Sequence, residues 1–467
     1  MDRFLFVLGS NFQLSLAELD NVLHHSRFRG KIIDYSANVA VVEFEKILEE
    51  KHYINELMEL QYMLGGCQKI VRIFDFIHIN TLQEAFPLII EKYKQVSKTR
   101  EKILDIITKI LPQIFPKIRG ENLFYAVSIY PNFYDEKYYS DVLVKHFLPF
   151  LNTEIMNILM ENGAEKALYY KYPEKNIQKG NLNPIFPHHL IKYGLFNKDR
   201  AEIVFAITEE GLYIGRTYVC DDPNFKKKID EERPSKDFKS SISPKLAITL
   251  LNFLNLFEER NKKKILDPFV GNGTILMFGI IEDFQVYGSD IDIEKIEHTL
   301  RNINWLLDEL EEPIPYLLGE RIKQIELKDL CNHFEANFFD GICSEPDLGP
   351  FYTKSPLYED ASKLMDTQLT PLYSEIFFQS KILLKSHHRL VITAPIIESK
   401  SGGDLQLNLE KIANENGFKL IPVLDVNRVV NKSDLRLQFK KSSVKALIDA
   451  KKGQVIKRKI FVFEKLT

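Results

Sequence analysis

The sequence predicts an α/β protein whose C-terminal half, from residue 243, is a doubly wound parallel-sheet domain preceded by smaller α+β units. Three observations carry that expectation. From Ser243 onward strand-like and helix-like runs alternate, the order that builds a parallel sheet covered on both faces. An apolar strand, Lys264–Pro268, runs into a turn bearing Gly271 and Gly273 and then into a helix. The following strand, Gln285–Asp290, ends in an acid 19 residues after Gly271.

Taken in order, Arg3–Leu8 is an apolar strand closed by Gly9-Ser10, and Leu14–Leu19 opens a helix with apolar residues at helical spacing. Asn38–Phe44 is a β-branched strand that helps complete a first unit over 1–65. A second unit, 66–220, holds strands at Ile70–Ile77, Leu123–Ile129, Ala201–Thr208 and Leu212–Val219. It also holds helical stretches at Leu82–Tyr93 and Ser140–Met160. Tyr170–Pro187, rich in Lys, Asn, Pro and Gly, reads as an exposed connection. Polar residues 221–242 form a linker into the C-terminal domain, 243–467. There Ser243-Pro244 is a helix N-cap followed by proline at the first helical position, and the helix runs to about Phe257. A helix at Thr274–Ile281 follows the glycine turn, and Ile296, Leu300, Ile303, Leu307 and Leu310 mark an amphipathic helix after Asp290. Strands are expected at Tyr316–Glu320, Asp340–Ser344 and Arg389–Ala394, with a helix over Leu372–Leu384. Lys419–Val429 and Lys457–Glu464 are expected to close the sheet as an antiparallel pair.

The chain of 467 residues is 45% hydrophobic and 27% charged, ordinary for a globular protein of two to four domains. A net charge of -3 announces no global basic field, although one face can be basic while the whole is not. Cys67, Cys220, Cys331 and Cys343 are far apart with no CxxC pair, which argues against a zinc ribbon or disulfide framework. The N-terminus lacks signal-peptide character, and no apolar run reaches the ~20 residues needed to span a bilayer. A cytoplasmic protein without a membrane partner is expected.

The segment Asp267-Pro268-Phe269-Val270-Gly271-Asn272-Gly273-Thr274 is the most informative in the chain. Glycines let the backbone approach a ligand, and a helix N-terminus offers free N–H groups. A carboxylate at Asp290 can accept hydrogen bonds from ribose hydroxyls. On the glycines alone a plain tight turn is the alternative. The loop lacks the third glycine of the dinucleotide fingerprint. With Gly288-Ser289-Asp290-Ile291-Asp292 it resembles the S-adenosylmethionine (SAM) motif of amino-group nucleic-acid methyltransferases. That resemblance implies cofactor contacts from Asp267, Pro268, Gly271, Gly273, Thr274, Asp290 and Ile291. Asp292 reads more simply as the N-cap of the next helix.

Further segments extend the resemblance. Arg233-Pro234-Ser235-Lys236-Asp237-Phe238 followed by Ser243-Pro244-Lys245-Leu246-Ala247 is similar to the motif before the cofactor loop in THUMP-containing tRNA guanine-N2 methyltransferases. Gly211–Arg216, and Phe6–Gly9 with Leu16–Leu19, are similar to other parts of that family. The match is specific over 233–352 and suggestive before 200. It implies a ferredoxin-like domain, a THUMP RNA-binding domain and a seven-stranded Rossmann-like SAM methyltransferase domain. Phe238 would line the cofactor site and tRNA would be the partner. Some eukaryotic relatives require an activating protein subunit, so such a partner is among those implied; a self-sufficient enzyme is the default.

Glu345-Pro346-Asp347-Leu348-Gly349-Pro350-Phe351-Tyr352 falls where the family carries an acid, two prolines and an aromatic. A guanine amine is a poor nucleophile because its lone pair is delocalised. A side-chain oxygen and a backbone carbonyl that accept its hydrogens localise that pair and can take a proton. Glu345, Pro346 and Asp347 therefore stand as the catalytic set, with Phe351 or Tyr352 in the stacking role that Leu348 cannot fill. An ordinary strand end is the plain alternative. Lys226 and Lys227 are candidate phosphate contacts, as is the Lys262–Lys264 run, although charge runs are usually solvated surface. Paired histidines at 24–25, 188–189 and 387–388 point in different directions, so no metal is expected. Rival readings are methylation of an adenine or cytosine amine, and a non-catalytic protein that binds SAM and RNA.

Overall fold

A computed structural model describes residues 3–45, 53–89, 93–132, 138–172, 182, 185–236, 242–313, 318–400, 402–439, 443–450 and 453–467. Eight strands of the N-terminal half form one sheet. They are β1 (Arg3–Leu8), β2 (Gly30–Tyr35), β3 (Val39–Phe44), β4 (Cys67–His78), β5 (Asn122–Tyr130), β6 (Lys166–Tyr169), β7 (Arg200–Ile207) and β8 (Gly211–Cys220). Their spatial order is β2-β3-β1-β4-β8-β7-β5-β6. The units expected over 1–65 and 66–220 thus share one sheet, joined where β1 pairs with β4.

The C-terminal sheet contains β9 (Lys264–Asp267), β10 (Gln285–Asp290), β11 (Ile322–Gln324), β12 (Phe339–Ser344), β13 (Leu384–Glu398), β14 (Asp404–Gln406), β15 (Phe418–Ile421), β18 (Ala446–Asp449) and β19 (Ile456–Lys465). Between β15 and β18, β16 (Leu424–Asp425) and β17 (Ser443–Val444) pair separately. Seven strands form a continuous path, β11-β10-β9-β12-β13-β19-β15, with β14 added at β13 and β18 at β19. Pairing is parallel from β11 to β13, and β19 is antiparallel to both neighbours. The chain leaves β9 first toward β10 and returns to β12 on its other side. That reversal makes the carboxyl ends of β9, β10 and β12 the switch point where a crevice opens.

The helix Phe12–His25 is buried from Leu14 to Leu23 because it is wedged between the two halves. Its apolar residues join one core with Leu246, Ile248 and Leu251 of the helix Pro244–Asn252. Glu18 is fully buried there. Its carboxylate accepts from the Gly65 and Gly66 N–H groups at 2.9 and 2.6 Å, and from Asn252 Nδ2 at 2.8 Å. A Cβ on Gly65 would lie 2.3 Å from the Lys245 carbonyl, so only glycine admits this approach.

Several elements differ from expectation. The helix expected over Leu82–Tyr93 runs Ile79–Ala85, because Pro87 drives Phe86 out of the helical region; residues 90–92 lie outside the described set. Helical structure over Ser140–Met160 is divided into a π-helical stretch, Tyr139–Phe147, and an α-helix, Leu148–Glu161. The linker contains a helix, Pro223–Glu232, N-capped by Asp222. At the strand expected over Tyr316–Glu320, Leu318–Arg321 is a helical turn; β11 follows it, and 314–317 lie outside the described set. Lys419–Val429 divides into β15 and β16 around Pro422. Most of the Tyr170–Pro187 connection, 173–181 and 183–184, also lies outside the described residues.

Candidate active site

β9 ends in Asp267, only 2% exposed. Its Oδ1 accepts from the Phe269 N–H at 3.1 Å and from Ser344 Oγ of β12 at 2.5 Å. Burial pushes its carboxyl up to about 7, against the pull of those donors and helped by the charges of Asp290 and Glu345. A group so poised accepts a neighbouring cation readily. The chain then turns through Gly271 (φ +51°) and Gly273 (φ +77°), which precedes the helix Thr274–Ile281. A Cβ on Gly271 would meet nothing within 4 Å, leaving open space above the loop, whereas one on Gly273 would press Thr299 Cγ2 at 2.8 Å.

Asp290 closes the other side. Its Oδ2 accepts from the Gly271 N–H and its Oδ1 from the Asp292 N–H, each at 3.1 Å. Each oxygen retains a lone pair for a hydroxyl donor. Asp292 caps the helix Ile293–Glu309, its side chain accepting from the Glu294 N–H at 2.9 Å.

That helix also holds the loop through polar residues that sequence reasoning did not single out. Thr299 Oγ1 donates to the Gly271 carbonyl at 3.0 Å. Asn302 Nδ2 donates to the Asn272 and Ser235 carbonyls, both at 2.9 Å, while its Oδ1 accepts from the Ser235 N–H at 2.8 Å. Arg233 adds a 2.9 Å bond to Thr274 Oγ1. The segment 233–235 is therefore laced to the glycine turn. Phe238 lies outside the described residues.

Glu345 follows β12. It is gripped by Arg458 of β19, with Nε 2.5 Å from Oε2 and Nη2 3.1 Å from Oε1. Burial pushes the Glu345 carboxyl up while Arg458 pulls it down. Asp347 is exposed and accepts from the Gly349 N–H at 2.9 Å, shaping the loop.

These parts surround one cavity of about 540 Å³. Asp267, Gly271, Thr274, Asp290, Glu345, Pro346, Asp347, Phe351 and Tyr352 line it, brought together from positions spread over 86 residues of sequence. Ile242, Leu348, the 453–456 stretch and Arg458 also contribute to the wall. Pro268 and Gly273 shape the loop without entering the lining, and Ile291 is 66% exposed outside it. Lys226 and Lys227 are not brought here. Lys226 is turned inward, its ammonium 2.7 Å from Asp221, because that neighbouring acid compensates its burial. Lys227 is exposed on the same helix, near Glu231. Neither position touches the cavity, and Lys226 is not free to meet a phosphate. No group of three or more His, Cys, Asp or Glu placed to hold a metal occurs among the described residues, and no described helix is long and apolar enough to cross a membrane.

An α/β domain with its crevice at the switch point, lined by a glycine turn and acids from three strand ends, is the class that fold and site define. The chain is similar in fold to TrmN from Thermus thermophilus, known from a crystal structure. The TM-score is 0.51 with 14% identity, covering 99% of this chain and 100% of that one. In sequence it is 30% identical over 111 residues to a protein of Methanothermococcus thermolithotrophicus named "Probable tRNA (guanine(10)-N2)-dimethyltransferase". That alignment spans 22% of this chain and 60% of the curated relative's length. No family model matches the chain.

Proposed function

We propose that this chain is a SAM-dependent tRNA methyltransferase acting on a guanine exocyclic N2 amine. The observation that carries the reading is that one cavity holds both the Asp267–Gly271–Asp290 cradle and, across it, the Glu345 carboxylate. The name of the Methanothermococcus thermolithotrophicus relative supports the choice of tRNA and of guanine N2.

The residues fit SAM. Asp290 keeps acceptor capacity for ribose hydroxyls, the space above Gly271 admits close approach, and buried Asp267 favours a cationic neighbour such as an α-ammonium. Bound there, SAM supplies an electrophilic methyl group on a sulfonium. The protein's task is to present the amine. A Glu345 oxygen accepts one amine hydrogen and the Pro346 carbonyl the other, drawing the nitrogen lone pair out of conjugation. Phe351, 70% exposed at the cavity mouth, offers a ring for stacking on an extruded base, while Tyr352 lines the cavity and packs against the core of the sheet. Proximity and orientation supply much of the rate. In this reading 1–65 and 66–220 provide the ferredoxin-like and THUMP-type parts that hold RNA, 221–242 covers the cofactor, and 243–467 is catalytic.

The Arg458 pair on Glu345 is the feature that a non-catalytic SAM- and RNA-binding protein would draw on, since a paired carboxylate is a weakened base. Transfer of labelled methyl from SAM to an unmodified tRNA transcript separates the two. Glu345→Ala is expected to lower transfer at least about 100-fold while leaving SAM affinity nearly intact. Asp290→Ala is expected to weaken SAM binding by about 1–3 kcal/mol. Full transfer by the Glu345 variant removes it from the chemistry.

A further inference from the structure

Arg458 is 113 residues from Glu345 in sequence and belongs to the closing strand, in register with Pro395 of β13 and Asp449 of β18. Both partners of the pair are largely buried, with side-chain exposures of 16% for Arg458 and 13% for Glu345. Two parallel N–H···O contacts fix the plane of the carboxylate as one contact cannot. They leave each oxygen a lone pair, and Glu345 and Arg458 both line the cavity.

We propose that Arg458 is a positioning residue for methyl transfer, holding Glu345 ionised and fixed in orientation so that it can only accept hydrogen bonds from the target amine. This rests on the methyltransferase reading above. A buried carboxylate without a cation drifts toward its neutral acid, whose O–H would oppose the N–H of the amine. Burial indeed pushes Glu345 upward, Arg458 opposes it, and Asp449 adds to the upward push. Asp267, Asp347 and Tyr373 also lie near the loop, Asp290 and Tyr352 line the same cavity, and among the described residues Arg458 is the cation that acts on this carboxylate. The pair also weakens Glu345 as a base, which orders the steps. The N–C bond forms as the S–C bond breaks, leaving a neutral thioether and a positive charge on nitrogen. That nitrogen, now strongly acidic, gives its proton to Glu345 and on to water.

The test is a carbon-13 NMR titration of the glutamate side-chain carboxyls in the full chain, with Glu345 assigned by its loss in Glu345→Gln. Arg458→Met is expected to raise the Glu345 midpoint by about 1–3 pH units, and Arg458→Lys by less. Asp449→Asn, which leaves the pair intact, lowers it and carries the test should the methionine variant fail to fold. Methyl transfer by Arg458→Met is expected to fall about tenfold near pH 6.5 and to recover as pH rises, with SAM affinity unchanged. Identical midpoints in the native, Arg458→Met and Asp449→Asn proteins would overturn the proposal. A native chain that transfers no methyl group would instead remove the enzymatic reading, while the titration still decides whether Arg458 sets the charge of Glu345.

Discussion

Asp267 is the residue on which the cavity's electrostatics turn. Its carboxyl, pushed up to about 7 chiefly by burial, stands above its ordinary value near 3.8. Below about pH 4 both folded and unfolded chains carry the proton. As pH rises toward 7 the unfolded chain releases it more readily, so this residue's contribution to stability is lost across that window. Asp267→Asn removes the loss. In urea melts without ligand, the variant is expected to gain about 2–4 kcal/mol on the native protein between pH 4.5 and pH 7.5. An unchanged difference across the window would show that Asp267 ionises normally. That Asp267, Gly271 and Asp290 meet at one cavity was legible in sequence, from the glycine turn after a strand and the acid that ends the next one. Ser344 and Arg458 were not: a serine within a strand and an arginine near the C-terminus carry no signal until the sheet sets β9, β12 and β19 side by side.

At the scale of elements, the helix Ile293–Glu309 does more than cover the sheet. Its apolar stripe, Ile296, Ile303 and Leu307, was readable from period 3.6, and those residues are buried. Thr299 and Asn302 lie on the same buried side, yet as polar residues they read as solvent face. Asn302 alone ties Ser235 at both backbone groups and Asn272 at its carbonyl. Asn302→Ala strands these groups. The expected cost is about 2–3 kcal/mol in global stability, with SAM affinity falling at least about tenfold as the 233–235 segment loosens. Calorimetric titration of the folded variant reads the second effect, and native affinity would show that the segment does not support the cofactor loop. Edge elements were the least legible. β11 is three residues long with one buried side chain, too short for any periodic signal.

Across the whole molecule, the two halves are clasped rather than tethered. Lys432 of the C-terminal domain forms a buried ion pair with Asp34, whose other oxygen accepts from Thr208 and Tyr213 hydroxyls at 2.7 and 2.9 Å. Glu209 accepts from the Ser433 and Asp434 N–H groups, and the Tyr35 hydroxyl donates to the Leu437 carbonyl. With the Glu18–Asn252 contact, this fixes the N-terminal sheet relative to the cavity. Lys432→Met leaves Asp34 buried without its cation, at an expected cost of about 3–5 kcal/mol. At temperatures where the variant stays folded, transfer to tRNA should fall more than SAM affinity; equal losses would mean the clasp serves stability alone. Partners 398 residues apart, as Lys432 and Asp34 are, have no signature in a single sequence. The order of strands and helices in the C-terminal half did, because each crossover helix announces a parallel neighbour. The central claim is that this cavity methylates a guanine amine in tRNA. Its most direct test is nucleoside mass spectrometry of unmodified tRNA incubated with the native chain and SAM. N2-methylguanosine that disappears with Glu345→Ala is the result expected; methylated adenosine or cytidine, or no methylated nucleoside although SAM binds, would contradict it.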